Sequence, residues 1–327
     1  MPKNENNYLY LSKTGDAYAN LGTDEWFLDH CGPHDLYLYF YINRNAVIIG
    51  RNQNPWKECN LDAIHRDDVQ LVRRISGGGA VYHDEGNLNF SFIAGEERYD
   101  VQKQFALIVR VLRDAGIPCE LSGRNDILSN GRKFSGNAFC ARGSARQHHG
   151  TLLVSADLTK LPRYLNPDPR KLAAKGISSV RSRVCNLSEI NGEVTVASLL
   201  EGIPSAFRAE YGETETFAPT PAQQEEWSAY RERHASDAWR LGKTPPFDIS
   251  FDERFAWGGA ELLLSVSEGC VKRAVLYTDA NDAELPALTE AALLGQPFSR
   301  SALVSALKKT DRAELRDMAD FLAHEQF

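Results

Sequence analysis

The sequence predicts an α+β protein of two domains, a large one over residues 1–243 and a small one over 244–327. Three observations carry this. Strand-length apolar runs and helical patterns mix irregularly through the first 240 residues. Leu241-Gly242-Lys243-Thr244-Pro245-Pro246 then joins a glycine to two prolines, which end a helix and stiffen a linker. Beyond it, three short strand-like runs are followed by three helical ones.

In order, 16–31 reads as a partly amphipathic helix, with Leu21 and Leu28 on one face and Glu25 between them. Runs 36–41 and 46–49 read as strands joined by the turn-prone Asn43-Arg44-Asn45. A short helix over 61–68 takes Asn60 as N-cap. Val69-Gln70-Leu71-Val72 and the alternating Leu88 to Ile93 are strands on either side of a glycine run. The helix over 100–116 repeats Val101, Phe105, Ile108 and Leu112 at helical spacing, from Asp100 as N-cap to Gly116 as stop. Asn130-Gly131 is a type I′ hairpin signal, folding 132–139 back along 126–129 and placing Lys133 on a strand. A strand over 148–154, a short helix or turn over 158–165, and helices near 196–211 and 225–240 complete the large domain. In the small one, strands at 251–257, 261–266 and 271–278 precede helices at 285–294, 301–309 and 312–324.

Composition narrows the function. Against 44 acidic side chains stand 37 basic ones, giving −7, which argues against a general nucleic-acid binder. No apolar run approaches the ~20 residues that span a bilayer, and the opening residues carry no apolar signal region. A cytoplasmic protein is expected. The six cysteines are scattered without a Cys-x-x-Cys pair, which argues against zinc and disulfides and for incidental reduced thiols.

The chemistry gathers around Arg73-Arg74-Ile75-Ser76-Gly77-Gly78-Gly79-Ala80-Val81-Tyr82-His83-Asp84. Glycines between strands let a ligand approach the main chain, and their N–H groups can converge on an anion. The arginines add forked donors suited to phosphate or carboxylate. Taken alone, the run reads first as a flexible turn beside a solvated basic pair. Lys133 stands beside the small residues Ser135 and Gly136, which leave room for a ligand. Asp126, across the hairpin, can share Mg²⁺ with phosphate oxygens; the alternative is a turn or cap residue. His148-His149 without a cysteine or carboxylate cluster is a weak metal signal and better suits a histidine beside an anion. The basic stretch 171–184, hinged at Gly176, reads as an exposed loop or as a lid over a triphosphate.

At these residues the chain closely resembles the bacterial two-domain lipoate–protein ligases. The resemblance runs in family order through 54–60, 73–84, Ser122-Gly123-Arg124-Asn125-Asp126, Arg132-Lys133 with Ser135-Gly136, His148-His149-Gly150-Thr151-Leu152-Leu153, Leu165-Asn166-Pro167-Asp168 and 171–184. Phe255, Trp257-Gly258-Gly259 and Tyr277-Thr278-Asp279 resemble the start of the family's accessory domain. It implies a biotin/lipoyl-ligase-like catalytic domain with mixed sheets and a small α+β accessory domain. ATP and lipoate would give lipoyl-AMP and pyrophosphate. A lysine of a lipoyl domain, on 2-oxo-acid dehydrogenase acyltransferase subunits or the glycine-cleavage H protein, would then take the acyl group. The resemblance assigns ATP contacts to Arg74, Gly79, Ala80, Val81, Tyr82 and Lys133. Lipoate contacts fall to Lys133, Tyr41, His83 and His149. Lys175, Gly176, Arg181 and Arg183 would cover the adenylate, with Mg²⁺ at Asp126 but no dedicated protein metal site. Lys133 would be the catalytic residue and the enzyme a monomer, without nucleic-acid or membrane partners. Well-known members carry tryptophan where this chain has Tyr41, which bears on the choice among lipoate, octanoate and analogues.

Three rivals remain. An octanoyltransferase of the same superfamily needs a cysteine nucleophile; the segment that carries it in some members here has Asp168. A biotin ligase would carry an arginine-rich glycine loop unlike 76–79. A non-enzymatic lipoate carrier would not need Arg74, Lys133 and the basic stretch together.

Overall fold

The structure, a computed structural model, describes residues 5–123, 125–166, 184–242, 247–267 and 269–325, save the side chains of residues 56 and 57. The proposed lid residues Lys175, Gly176, Arg181 and Arg183 lie outside the described residues, as do Arg124, Asp168 and the two prolines of the linker. The chain forms two compact units. One comprises Met1–Ile48, Cys59–Arg73 and Val81–Arg240; the other comprises Ile49–Glu58, Arg74–Ala80 and Leu241–Phe327.

The first unit is built on a mixed eight-stranded sheet. Its strands are β1 (Asn6–Leu11), β2 (Asp35–Tyr41), β6 (Asn87–Gly95), β7 (Glu120–Ser122), β8 (Asp126–Ser129), β9 (Arg132–Arg142), β10 (Ala145–Leu153) and β11 (Glu215–Thr216). Their order is β11-β1-β2-β6-β10-β9-β8-β7. β1 runs parallel to β2 and β11, and the other pairs are antiparallel. Three shorter strands, β3 (Ala46–Ile49), β4 (Gln70–Arg73) and β5 (Val81–His83), make a second sheet in the order β4-β3-β5.

Alternation sorts the large sheet into two faces. Leu36, Leu38, Phe40, Phe90, Phe92 and Leu152 join the core under the helices Val101–Asp114 and Val196–Tyr211. The first helix is capped as its sequence predicts: Lys103 N–H donates to Asp100 Oδ1 at 3.0 Å. Tyr39, Tyr41, Asn89, Ser91, Gln147 and His149 point to the other face, where the helix Ala17–His30 packs.

That helix is not two-faced as expected. Every residue from Asn20 to Leu28 is buried. A second helix, Pro221–Ala235, covers the side that would have met water. Glu25, 1% exposed, is consequently paired with Arg142 at 2.9 Å, Arg233 at 2.5 Å and His234 at 2.7 Å. β1 and β11 were not anticipated either. An aromatic cluster that includes Tyr10, Phe27, Phe217 and Trp227 ties these strands to both helices. The expected hairpin is present, with φ of 50° at Asn130 and 73° at Gly131. A bulge between Ile127 and Leu128 brings Leu128 opposite Lys133.

In the second unit, β12 (Ile249–Phe255), β13 (Gly258–Ser267) and β14 (Cys270–Thr278) form the expected meander. Helices Leu285–Leu293, Arg300–Lys308 and Ala313–Leu322 bury Leu285, Leu293, Leu303, Leu307 and Leu315 against it. Two segments from far upstream join this unit. Thr278 N–H donates to Asn52 O at 2.9 Å, and Gly78 N–H to Ala280 O at 2.8 Å. The sequence reading had kept both segments within 1–243.

Candidate active site

Lys133 sits near the start of β9, held on both sides by backbone pairing. Leu128 is its partner across the hairpin, and its C=O accepts from Cys185 N–H at 3.0 Å. Its ammonium lies 2.7 Å from Asp126 Oδ1, with the two side chains 38% and 34% exposed. A half-exposed pair of this kind is worth little, so a competing anion can displace either partner. The stem crosses Gly136, where an added Cβ would stand 2.9 Å from Nζ. The small residue predicted to make room for a ligand makes room for the lysine itself.

The glycine loop belongs to the other unit and is organised by Arg74. Its guanidinium donates to Gly77 O at 2.7 Å and Gly79 O at 2.8 Å, wrapping the loop around a cation. Gly78 takes φ +97°, and its N–H is directed to Ala280. A Cβ on Gly77 would meet Ala280 O at 2.5 Å and Asn281 O at 2.6 Å. A Cβ on Gly79 would meet nothing within 4 Å, so only there does the loop leave the close approach that was expected of all three glycines. Arg73 is a structural residue. It is 6% exposed, and donates to the carbonyls of Trp239 and Arg240 at 2.9 and 2.8 Å.

Val81 and Tyr82 lie on β5, the edge of the small sheet, opposite Ile48 and Val47. The Tyr82 hydroxyl donates to Asn45 Oδ1 at 3.1 Å, and its ring stacks on Tyr164 with centroids 5.6 Å apart. Burial pushes its phenol up to about 12, so it stays neutral. His83, 4% exposed, receives a hydrogen bond at Nδ1 from Asn43 Nδ2 at 3.1 Å. Asn43 Oδ1 in turn accepts from Asn20 at 2.9 Å, which fixes the amide's orientation. The His83 proton therefore resides on Nε2.

Tyr41 and His149 share the polar face of the large sheet. Tyr41 is 3% exposed, its ring tilted against Tyr39 with centroids 5.0 Å apart, and its C=O accepts from Asn89 Nδ2 at 3.1 Å. His149 lies opposite Ser91 and Ala138. Asp24 projects from the helix onto this face, hydrogen-bonded to Ser91 and Gln147. Burial there lifts its carboxyl to about 7, with the Ser91 and Gln147 bonds opposing the shift and Glu25 adding to it. Burial also raises Glu25, but the His234 and Arg233 hydrogen bonds outweigh it and hold that carboxyl at about 2.

His148 does not face a ligand. It is 0% exposed, between Phe90, Phe92, Phe105 and Phe139, with hydrogen bonds to Gln104 and Asn137. Asn43, Gln104 and Asn137 were missed from sequence because buried amides have no periodic signature. None of the six cysteines is in a disulfide. Burial raises the thiols of Cys31, to about 12, and of Cys119 and Cys185, so none of these three is primed as an acyl-carrying thiolate. Among the described residues no three His, Cys, Asp or Glu side chains cluster to hold a metal. Asp126 by itself fits an ion that takes one carboxylate and completes its shell with ligand oxygens.

Residues 16–208 match the family model described as lipoyl protein ligase A/B catalytic domain. Residues 244–322 match the model described as bacterial lipoate protein ligase C-terminus. The chain is 38% identical to a lipoate-protein ligase A of Psychrobacter cryohalolentis, covering 97% of this chain and 98% of that protein. Its structure resembles P. falciparum LipL1 crystallised in complex with lipoate: TM-score 0.84, 28% identity, 97% of this chain and 99% of that one. It also resembles a lipoate-protein ligase A bound with ATP, at TM-score 0.63 and 26% identity over 73% of this chain and 99% of that one. A Thermoplasma acidophilum bi-partite ligase, studied with its E2 lipoyl domain, matches at TM-score 0.66 and 26% identity, over 75% of this chain and 99% of that one.

Proposed function

The chain belongs to the lipoate–protein ligase family, and from that premise we propose that Lys133 carries its chemistry. The enzyme is an ATP-dependent ligase that activates lipoate and passes the lipoyl group to protein lysines. Forming lipoyl-AMP brings a carboxylate up to an α-phosphate, so two anions must be held together. The observation that supports Lys133 in this role is its ammonium, laid across Gly136 from a strand and engaged by one half-exposed carboxylate. Lipoate and phosphate oxygens would replace Asp126 as its partners. This is catalysis by positioning and charge, without a protein nucleophile. In the second step the same ammonium would polarise the acyl carbonyl while the acceptor lysine attacks and AMP departs.

Arg74 and Gly79 would approach the triphosphate, the first as a cation and the second through open backbone. Ala80, Val81 and Tyr82 would bind the nucleotide by main chain, since β5 is an edge strand and the Tyr82 side chain is already tied to Asn45 and Tyr164. His83, with its proton on Nε2, and His149 and Tyr41 would face lipoate. Lys175, Gly176, Arg181 and Arg183 would cover the adenylate. Mg²⁺ would be held by Asp126 and by phosphate oxygens, where it would neutralise charge. We assign acceptors among lipoyl domains of 2-oxo-acid dehydrogenase complexes and the glycine-cleavage H protein, and a monomeric cytoplasmic enzyme. No helix among the described residues is long and apolar enough to cross a membrane.

The test is pyrophosphate release from ATP and lipoate, with and without an apo lipoyl domain. Lys133→Ala should lower the first step by ~10²–10³, the typical effect of removing such a donor, with the melting temperature retained. A folded Lys133→Ala protein that releases pyrophosphate at the native rate removes the lysine from the mechanism.

A further inference from the structure

A file of buried side chains runs from the 101–114 helix to Asn125, which precedes Asp126 at the start of β8. Gln104 Oε1 is placed 3.0 Å from His148 Nδ1, and His148 Nε2 lies 3.0 Å from Asn137 Oδ1. Asn137 Nδ2 donates to Asn125 O at 3.0 Å and to Ser135 Oγ at 3.3 Å. The Asn137 N–H also donates to Asn125 O, at 2.9 Å, and Asn125 Nδ2 donates back to Asn137 O at 2.7 Å. The next residue, Asp126, holds Lys133 Nζ at 2.7 Å.

Counting protons gives this file a direction. Burial depresses the His148 imidazolium to about 3, so the ring is neutral at working pH and carries one N–H. Yet both its nitrogens face amide oxygens, so one amide must be turned. Asn137 is fixed by the two acceptors of its NH₂ group, whereas Gln104 Nε2 has no hydrogen-bond partner among the described residues. Turning Gln104 gives both ring nitrogens a matched partner. Its NH₂ donates to Nδ1, His148 keeps its proton on Nε2, and Nε2–H donates to Asn137. Gly150 makes room for this: a Cβ there would run into Asn137 Oδ1 and the Phe90 ring.

We propose that Gln104, His148 and Asn137 are positioning residues for adenylation, fixing Asn125 and through it the place of Asp126, the first residue of β8, and Lys133. The inference rests on the assignment of Lys133 above. His148 touches no reacting atom. Its one donated proton holds Asn137 Oδ1, on the amide whose NH₂ group engages Asn125 O, and losing it leaves that side chain with one anchor fewer against Asn125.

The experiment compares His148→Phe, which keeps a flat ring among the four phenylalanines, with His148→Gln, which can accept from Gln104 and donate to Asn137. Lys133→Ala is measured in parallel. For His148→Phe, kcat for pyrophosphate release should fall on the order of 10²-fold, the scale of a small misplacement of reacting groups. KM for ATP and for lipoate should stay within about threefold. His148→Gln should recover most of kcat. Native kcat in a folded His148→Phe protein, or equal loss in both variants, overturns the proposal. Nitrogen-15 shifts of the His148 ring in the native protein need no variant to fold. They should report the Nε2–H tautomer from about pH 5 to about pH 8; an Nδ1–H ring or an imidazolium overturns the proposal. An active Lys133→Ala would instead sink the assignment of Lys133, while an inactive one beside a normal His148→Phe would sink only the positioning role.

Discussion

Asp24→Asn should make the protein more stable in mild alkali and flatten its pH dependence. Asp24 is buried, its Oδ1 has no hydrogen-bond partner among the described residues, and Glu25 stands beside it, so only the Ser91 and Gln147 side chains oppose the shift. Its carboxyl is lifted from 3.8 to about 7. Because the folded-state value is the raised one, the folded chain binds the extra proton. The stabilisation is complete below the unfolded value of 3.8 and is lost as pH rises through about 7. At 1.36 kcal/mol per unit, the native protein should lose roughly 2–3 kcal/mol between about pH 5 and about pH 8 from this group. Asparagine keeps the size and the hydrogen bonds but has no charge to desolvate. Urea unfolding of the native and Asp24→Asn proteins at both pH values measures the difference directly. The gap between the two stabilities should widen by that amount in favour of asparagine as pH rises. If the two stability curves run parallel, Asp24 is ionised in the fold and the account of this polar face fails.

The neighbouring carboxyl predicts the opposite sign. Glu25, held at about 2 by His234 and Arg233 against the effect of burial, contributes stability above its usual value that is lost as pH falls through about 2. Glu25→Gln should cost about 3–5 kcal/mol at neutral pH, as expected when a buried ion pair loses one partner; a loss below about 1 kcal/mol in urea unfolding would contradict the paired geometry. In the glycine loop, Gly77→Ala should destabilise by about 1–3 kcal/mol, since its methyl meets main-chain oxygens. Gly79→Ala, with open space around it, should leave the melting temperature unchanged and raise KM for ATP. An unchanged KM would remove Gly79 from the nucleotide site.

Much of this protein was legible locally. The Asp100 cap, the Asn130-Gly131 hairpin and the meander after the linker each rest on short-range rules, and the fold obeys them. Lys133 on a strand followed from the hairpin alone. The helix over 16–31 was read as partly amphipathic because only one partner layer was in view, while Pro221–Ala235, some 200 residues downstream, supplies a second. The same distance hid β1, whose neighbours are β2 and the remote β11. His148 and His149 are consecutive and chemically identical, and nothing local separates them. The strand's alternation turns one toward the phenylalanine core and the other to the polar face.

By itself the sequence determined most of the elements, the family pattern and the cation on its strand, because caps, turns and periodicity act over a few residues. The tertiary structure decided which groups are charged and which amides are turned. It sets Asp24 near 7 and Glu25 near 2 on adjacent residues, makes Arg73 a clamp and Arg74 the centre of a loop, and aligns Gln104, His148 and Asn137. Those outcomes depend on desolvation and on partners remote in sequence, and both come into being only when the chain packs.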